Sequence, residues 1–197
     1  MNTTSLNTPK LEWLGSTILF FQKHFVMIFS LGLIAGIGRV IQLKGFGEIS
    51  TATNIIMEVV VESARLAMFI YILGSASLKM GLARLANLFS KSEHRKESIK
   101  LAFANFKSKW QILLLNFVVY LLIAWVINFL IDQLAYQTCL YLTMQNRGIL
   151  NADASEWTII LFFKNLTVIP LTLIFNTLFV FYMTNRLNLQ ATSKKIS

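Results

Sequence analysis

The stretch WQILLLNFVVYLLIAWVINFLI, residues 110–131, contains no charged side chain. An α-helix rises 1.5 Å per residue, so about 20 such residues reach across a bilayer hydrocarbon core of roughly 30 Å. Three other stretches have a comparable length: 24–43, 51–74 and 157–183. We therefore predict an all-α fold, an integral membrane bundle of four transmembrane helices.

The composition of the whole chain is that of a membrane protein. Of its 197 residues, 55% are hydrophobic and 14% are charged, whereas about a quarter of the residues in a soluble domain are charged. In a membrane protein, the formal net charge of +9 is typical of topology signals and of contact with anionic lipid. We expect no nucleic-acid partner. The length predicts one membrane domain, residues 1–197.

The basic residues orient the predicted spans. Residues 75–109 are rich in lysine and arginine, and further basic residues lie near both termini, whereas the segment 132–156 is mainly acidic. Cytoplasmic segments of membrane proteins carry the excess of lysine and arginine. The pattern predicts a multi-pass protein of the bacterial inner (cytoplasmic) membrane, with its N-terminus and its C-terminus both in the cytoplasm.

Two amphipathic segments accompany the spans on the predicted cytoplasmic side. Thr8-Pro9 has the form of a helix start, so residues 9–22 predict an N-terminal interfacial helix. Apolar residues recur at helical spacing within 77–109, which predicts a basic helical hairpin whose second helix runs directly into the third span. We expect the hairpin to lie on anionic lipid headgroups; a docking platform for a partner protein is the alternative. The expected headgroup contacts are Lys91, Arg95, Lys96, Lys100, Lys107 and Lys109.

A stripe of charged residues interrupts the second span. Glu58, Glu62 and Arg65 are three and four positions apart and therefore share one face of a helix. Each charge at the bilayer centre costs about 2.5–3.5 kcal/mol on insertion scales, so we predict that the stripe faces the interior of the bundle. Charged residues of the other spans lie at similar depths in the four-span arrangement. Together they form a predicted intramembrane polar cluster: Glu58, Glu62, Arg65, Lys164, Arg39 and Asp132.

Such a cluster has two interpretations. In the structural one, ion pairs between helices fix their packing. In the functional one, the cluster is a site for a proton, an ion or a lipid headgroup. Two backbone features lie nearby. Gly32-x3-Gly36 predicts close helix packing, and Pro170 interrupts the fourth span, either as a simple kink or as a moving part.

Motifs for catalysis are absent from the sequence. It contains no HExxH, CxxC, GxSxG or Walker-type motif, and its two histidines, His24 and His94, fall in different predicted environments. We expect no enzymatic activity, no catalytic residue, no metal and no cofactor. An intramembrane catalyst that uses Glu58 or Glu62 is the enzymatic alternative.

Two short stretches resemble a bacterial family. FFQKHF, residues 20–25, enters the first span, and SIKLAFANFKSKW, residues 98–110, enters the third. The pattern resembles the non-catalytic membrane domains attached to some bacterial glycerophosphodiester phosphodiesterases, and related small integral membrane proteins. The resemblance implies a bacterial membrane protein. The phosphodiesterase residues belong to a separate domain that this chain lacks, so the resemblance assigns a role to no residue here.

Two functional hypotheses follow. In the first, the chain is a non-enzymatic accessory or scaffold protein that binds membrane lipid and a partner membrane protein. In the second, it is a small transporter or lipid-handling protein that uses the charged cluster, as a homo-oligomer because four spans leave little room for a pathway. Replacing Glu62 by glutamine distinguishes them, since it should abolish transport but alter only stability or assembly in a scaffold.

Overall fold

The computed structural model describes residues 11–90 and 92–184. For Glu12 and for residues 88–90, 92–95 and 97–98 it describes the backbone alone. Over this part of the chain the protein is helical and contains no strand, which confirms the predicted all-α class. The helices are α1 (Glu12–Lys23), α2 (Phe25–Gln42), α3 (Thr51–Leu73), α4 (Leu78–Ser90), α5 (Ser92–Tyr136), α6 (Leu140–Asn146), α7 (Glu156–Leu166) and α8 (Val168–Met183).

Three helical segments of the described chain are long and apolar enough to cross a membrane. They are α2, the part Ile99–Tyr136 of α5, and Glu156–Met183, which comprises α7 and α8. These segments indicate a membrane protein. α3 has 23 residues, but it carries Glu58, Glu62 and Arg65 within eight positions, near the middle of the helix.

α3 runs antiparallel to α2 along its whole length. At one end of the pair, Nε2 of Gln42, the last residue of α2, donates to the carbonyl oxygen of Asn54 in the first turn of α3 over 3.3 Å. At the opposite end of the pair, the hydroxyl group of Tyr71 lies 3.2 Å from Nδ1 of His24. Contacts at both ends show that α3 returns beside α2, so polar side chains at matching heights on the two helices can meet.

The Gly32-x3-Gly36 motif forms the contact between α2 and α7. A Cβ atom at Gly32 would lie 2.7 Å from the carbonyl oxygen of Asn165, and one at Gly36 would lie 3.1 Å from the ring of Phe162. Small residues allow helix backbones to approach this closely. α7 also runs antiparallel to α2, so α2 lies between α3 and α7.

Gly32→Ala is expected to weaken the contact between α2 and α7, because the new methyl group meets a backbone oxygen that cannot rotate away. We expect a loss of about 1–3 kcal/mol in the free energy of unfolding, measured by thermal unfolding in detergent. Gly15→Ala is the matched control: position 15 is helical and its Cβ would meet open space, so this change should be neutral or slightly stabilising. Equal destabilisation by both variants would contradict the packing role.

The N-terminal helix α1 packs into the bundle through one face, a contact that the sequence did not predict; its interfacial position stays a prediction. Trp13 is only 2% exposed. Its indole Nε1 donates to the carbonyl oxygen of Phe175 over 3.0 Å, and the two rings stack with centroids 4.2 Å apart. The backbone N–H of Leu14, in the first turn of α1, has no acceptor within the helix and donates to Oδ1 of Asn116 over 3.1 Å. The opposite face of α1, including Leu19, is exposed.

α4 and the first part of α5 occupy the predicted hairpin 77–109. α5 (Ser92–Tyr136) consists of two helical segments that meet in a kink at Lys109, where φ is −121° and ψ is 17°. The second helix of the hairpin therefore runs directly into residues 110–131 and bends where the apolar segment begins. Asn105 attaches the first part of α5 to the end of α8, since its Nδ2 donates to the carbonyl oxygen of Met183 over 2.7 Å.

The fourth predicted span is interrupted at one residue, which divides it into α7 and α8. Thr167, with φ −127° and ψ −74°, separates α7 from α8. Pro170 lacks an N–H group, so the carbonyl oxygen of Leu166 loses its usual donor four residues along. The chain breaks beside that carbonyl, and the Thr167 hydroxyl donates to the carbonyl oxygen of Phe163 over 2.8 Å.

Candidate functional site

Arg39 joins two carboxylates across the contact between α2 and α3. Its Nη1 lies 2.8 Å from Oε2 of Glu58, and its Nη2 lies 3.0 Å from Oε1 of Glu62. The two glutamates are four residues apart on α3 and therefore lie one turn apart on the face that meets α2. The planar guanidinium presents several donors in a fixed geometry, so one side chain can bind both carboxylates.

Hydrogen bonds extend this bridge in both directions. Gln42 accepts from Nη1 of Arg39 over 2.7 Å and donates to Oε2 of Glu58 over 2.8 Å. At the other end, Nη1 of Arg65 lies 2.7 Å from Oε1 of Glu62. Arg65 then donates from Nε and Nη2 to Oδ1 of Asn165, over 3.2 and 2.9 Å. We call this connected set the polar ladder; its members are Gln42, Arg39, Glu58, Glu62, Arg65 and Asn165.

The polar ladder connects three helices and is formally neutral. Gln42 and Arg39 belong to α2, Asn165 belongs to α7, and the remaining members belong to α3. Its two guanidinium groups balance its two carboxylates. Because an isolated charge in an apolar medium is far more costly than a hydrogen-bonded pair, this arrangement allows four ionised side chains to occupy otherwise apolar helices.

The carboxylates lie at the surface of the chain, which corrects the prediction that the stripe faces the interior. The side chains of Arg39 and Arg65 are 20% and 24% exposed, whereas those of Glu58 and Glu62 are 50% and 52% exposed. α2 covers one side of α3, and Val59 on the outward side is exposed. The arginines therefore lie between the helices and hold the glutamates at the outer edge.

Lys164 and Asp132 do not join the ladder. Both side chains are partly buried, but within the described chain their charged groups form no ion pair and no hydrogen bond. Lys164 is adjacent to Asn165, and consecutive side chains on an α-helix point about 100° apart. Asn165 faces Arg65 and is almost fully buried, so the ammonium group of Lys164 points elsewhere.

The sequence reasoning did not assign Gln42 and Asn165 to the cluster. Gln42 follows Arg39 by three residues, so the two share a helix face, and this spacing was a usable signal. Asn165 had no comparable signal. Its role depends on the rotation of α7 against α3, and its own Nδ2 is occupied by the carbonyl oxygen of Leu161 over 2.7 Å.

The predicted headgroup residues fall into three groups. Lys96, Lys100 and Lys107 are exposed on α5. Lys109 instead packs on the protein, with its Nζ 5.1 Å from the centre of the Tyr182 ring. Lys91 and the side chain of Arg95 lie outside the described residues.

An exposed apolar row lies beside the three exposed lysines Lys96, Lys100 and Lys107. Ile99, Phe103, Phe106 and Trp110 recur at helical spacing and are all exposed, with Phe103 the most exposed of them. Ala102 lies at the edge of this row and packs against the core. An exposed apolar face flanked by lysines is the pattern of a helix that lies in the membrane–water interface.

In the described part of the chain, no group of three or more His, Cys, Asp or Glu side chains could hold a metal ion. The ladder is also a poor proton path. A guanidinium group stays protonated in proteins, and Arg39 lies between the two carboxylates. The arrangement can fix three helices and present carboxylate oxygens outward.

Comparison with known proteins adds no relative: no family model, curated protein or solved structure matches the chain. Two features of the described residues indicate a function: the polar ladder and the amphipathic first part of α5.

Proposed function

We propose that the chain is a non-enzymatic protein of the bacterial inner membrane that acts as an accessory or scaffold and binds both lipid and a partner membrane protein. The polar ladder is the observation that carries this proposal. Two half-exposed carboxylates lie on the outer edge of a helix of membrane length, held there by arginines. A carboxylate beside lipid hydrocarbon is costly, so this surface is suited to contact with another protein.

The proposal includes α3 as a fourth span. It also places the N-terminus and the C-terminus of the chain in the cytoplasm. The helix is about 35 Å long at 1.5 Å per residue, and it follows α2 from end to end. If α2 crosses the bilayer, α3 crosses back. The neutrality of the ladder supports this arrangement, because the two ion-paired carboxylates cost less in the membrane than two free ones.

The ladder geometry favours a scaffold over a transporter. Within the ladder, Glu58 and Glu62 are joined through the guanidinium of Arg39, and a guanidinium group is a poor proton relay. Ion release from the carboxylates would require several charge-assisted hydrogen bonds to break at once. The same bonds serve directly to hold α2, α3 and α7 in register.

The replacement Glu62→Gln tests the two functions. Wild-type protein and variant are purified in mild detergent for native mass spectrometry and then reconstituted in vesicles of phosphatidylethanolamine and phosphatidylglycerol. We expect a stoichiometric partner protein with the wild type, less of it with Glu62→Gln, and no proton or ion flux from either. Lys164→Gln, outside the ladder, should retain the partner. A homo-oligomer whose flux is abolished by Glu62→Gln would instead establish the transport alternative.

Lipid binding is assigned to the first part of α5. The row that contains Phe103 and Phe106 would lie among acyl chains, while the neighbouring lysines reach anionic headgroups, at about 1 kcal/mol per basic residue near the surface. The bend at Lys109 allows this helix to leave the direction of the span. The hairpin would then rest on the cytoplasmic leaflet.

Spin labels placed on two sides of α5 test the lipid contact. In a Cys139→Ser background, which removes the one native thiol, we expect a label at Phe103→Cys to be accessible to oxygen and shielded from a water-soluble nickel complex. A label at Ser108→Cys, exposed on another side of the helix, should show the reverse. Equal access of the nickel complex to both labels would contradict the interfacial assignment.

A further inference from the structure

The outward face of α3 carries a row of exposed residues at coiled-coil spacing. Ile55, Val59, Glu62 and Leu66 follow one another at intervals of four, three and four residues, and each is more than half exposed. This spacing places the four side chains in one line along the helix, as in the seam between two packed helices. We call this row the α3 seam.

Glu62 makes the α3 seam unsuited to lipid. In a span that begins at Thr51, Glu62 lies about 16 Å along the helix axis, close to the middle of the hydrocarbon core. Val59 and Leu66 on either side can face acyl chains without cost, but a half-exposed carboxylate there requires hydrogen-bond donors. Arg39 and Arg65 supply donors only from the inner side.

We propose that the α3 seam binds a transmembrane helix of a different protein, and that this helix offers a neutral hydrogen-bond donor to Glu62. This inference rests on the proposed scaffold function. The donor is a Ser, Thr, Asn, Gln, Tyr or Trp side chain at the depth of Glu62, within an otherwise apolar surface. Both the partner class and the donor chemistry follow from the charges of the ladder.

The charge balance requires the donor to be neutral. Two guanidinium groups already compensate two carboxylates in the polar ladder. A lysine or arginine from the partner would leave one uncompensated positive charge near the bilayer centre, which costs about 2.5–3.5 kcal/mol on insertion scales. A hydroxyl or amide group satisfies the free lone pairs of Glu62 without that penalty.

The same charges disfavour a second copy of this chain. Copies inserted in one orientation are related by a two-fold axis along the membrane normal, which places each residue opposite itself. Glu62 would face Glu62 at the same depth. The guanidinium groups of Arg39 and Arg65 are directed into the ladder and bind acceptors there. Two facing carboxylates repel each other, whereas a different helix can place a donor there.

The test is site-specific photo-cross-linking of the full chain in native membranes, with p-benzoylphenylalanine at Val59 or at Leu122. The two positions are 62% and 57% exposed, so they match in accessibility, but Leu122 lies on α5, away from the α3 seam. We expect one protein adduct from position 59 and none from position 122. Mass spectrometry should map the adduct to an apolar segment with a neutral donor. Alanine in place of that donor should lower the yield about tenfold.

Variants of this chain separate the interface from the fold. A label at Leu66 should form the same adduct, and Val59→Trp should then abolish it, because the bulky ring blocks the seam without touching the ladder; Leu122→Trp should leave it unchanged. An adduct with a differently tagged copy of this chain would overturn the proposal, as would a partner segment with lysine or arginine opposite Glu62.

Loss of this interface and loss of the proposed function give different results. A partner that cross-links from Phe103 on the hairpin but not from Val59 retains the scaffold function and overturns the α3 seam. Lipid adducts alone, from Val59, Leu122 and Phe103 alike, overturn both.

Discussion

Replacement of Arg39 by methionine should destabilise the protein by about 2–4 kcal/mol. The change removes the cation that Glu58 and Glu62 share and leaves a side chain of similar length in its place. Removal of one partner from a fully buried ion pair costs about 3–5 kcal/mol. We expect a somewhat smaller effect because both carboxylates are half exposed and Glu62 retains Arg65. Thermal unfolding in detergent, followed by circular dichroism, measures the change.

Three further variants show whether the effect belongs to the ladder. Lys164→Met removes a charge of the same sign from a residue outside the ladder, and it should change the unfolding temperature little. Arg39→Lys should fall between wild type and Arg39→Met, since one ammonium group cannot bind both carboxylates in a fork. Adding Glu58→Gln to Arg39→Met should recover part of the loss, because it removes the charge of a carboxylate left without its cation. Similar unfolding of wild type and Arg39→Met would show that the bridge contributes nothing to stability.

Replacement of Trp13 by alanine should cost about 3–5 kcal/mol, as is typical when a large buried aromatic side chain is truncated. Trp13 is buried between α1 and α8, stacks on Phe175 and donates to the Phe175 carbonyl oxygen. Its loss leaves a cavity where α1 meets the bundle. We expect a lower unfolding temperature and faster proteolysis within α1 in detergent.

Two further variants, Trp110→Ala and Trp13→Phe, provide the controls for this result. Trp110 is exposed, so Trp110→Ala removes the same side chain with little effect on stability. Trp13→Phe keeps most of the ring contact and loses the indole hydrogen bond, worth about 1 kcal/mol, so it should lie between the two. Equal stability of Trp13→Ala and Trp110→Ala would show that the Trp13 contact contributes little to the stability of the fold.

Features that depend on a short stretch of chain could be predicted from the sequence. The apolar segments were located by length and hydropathy alone, because a helix must bury about 20 residues to cross a bilayer; α2 at Phe25–Gln42 and α3 at Thr51–Leu73 lie within a residue of the predicted 24–43 and 51–74. The shared face of Glu58, Glu62 and Arg65 followed from helical spacing. The four-span topology stays a prediction, with three apolar segments found in the described chain.

Contacts between distant helices could not be predicted, because they depend on how each helix is rotated about its axis. Consecutive residues of α7 are about 100° apart around the helix axis. The rotation of α7 about that axis therefore decides that Asn165 rather than Lys164 meets Arg65. The insertion of Trp13 beside Phe175 joins residues 162 positions apart, and nothing local to residues 9–22 distinguishes a buried face from an interfacial one. Periodicity shows that the charged residues of α3 share a face. Only the packing of α2 against one side of α3 decides that Arg65 points inward and that Glu58 and Glu62 lie outward.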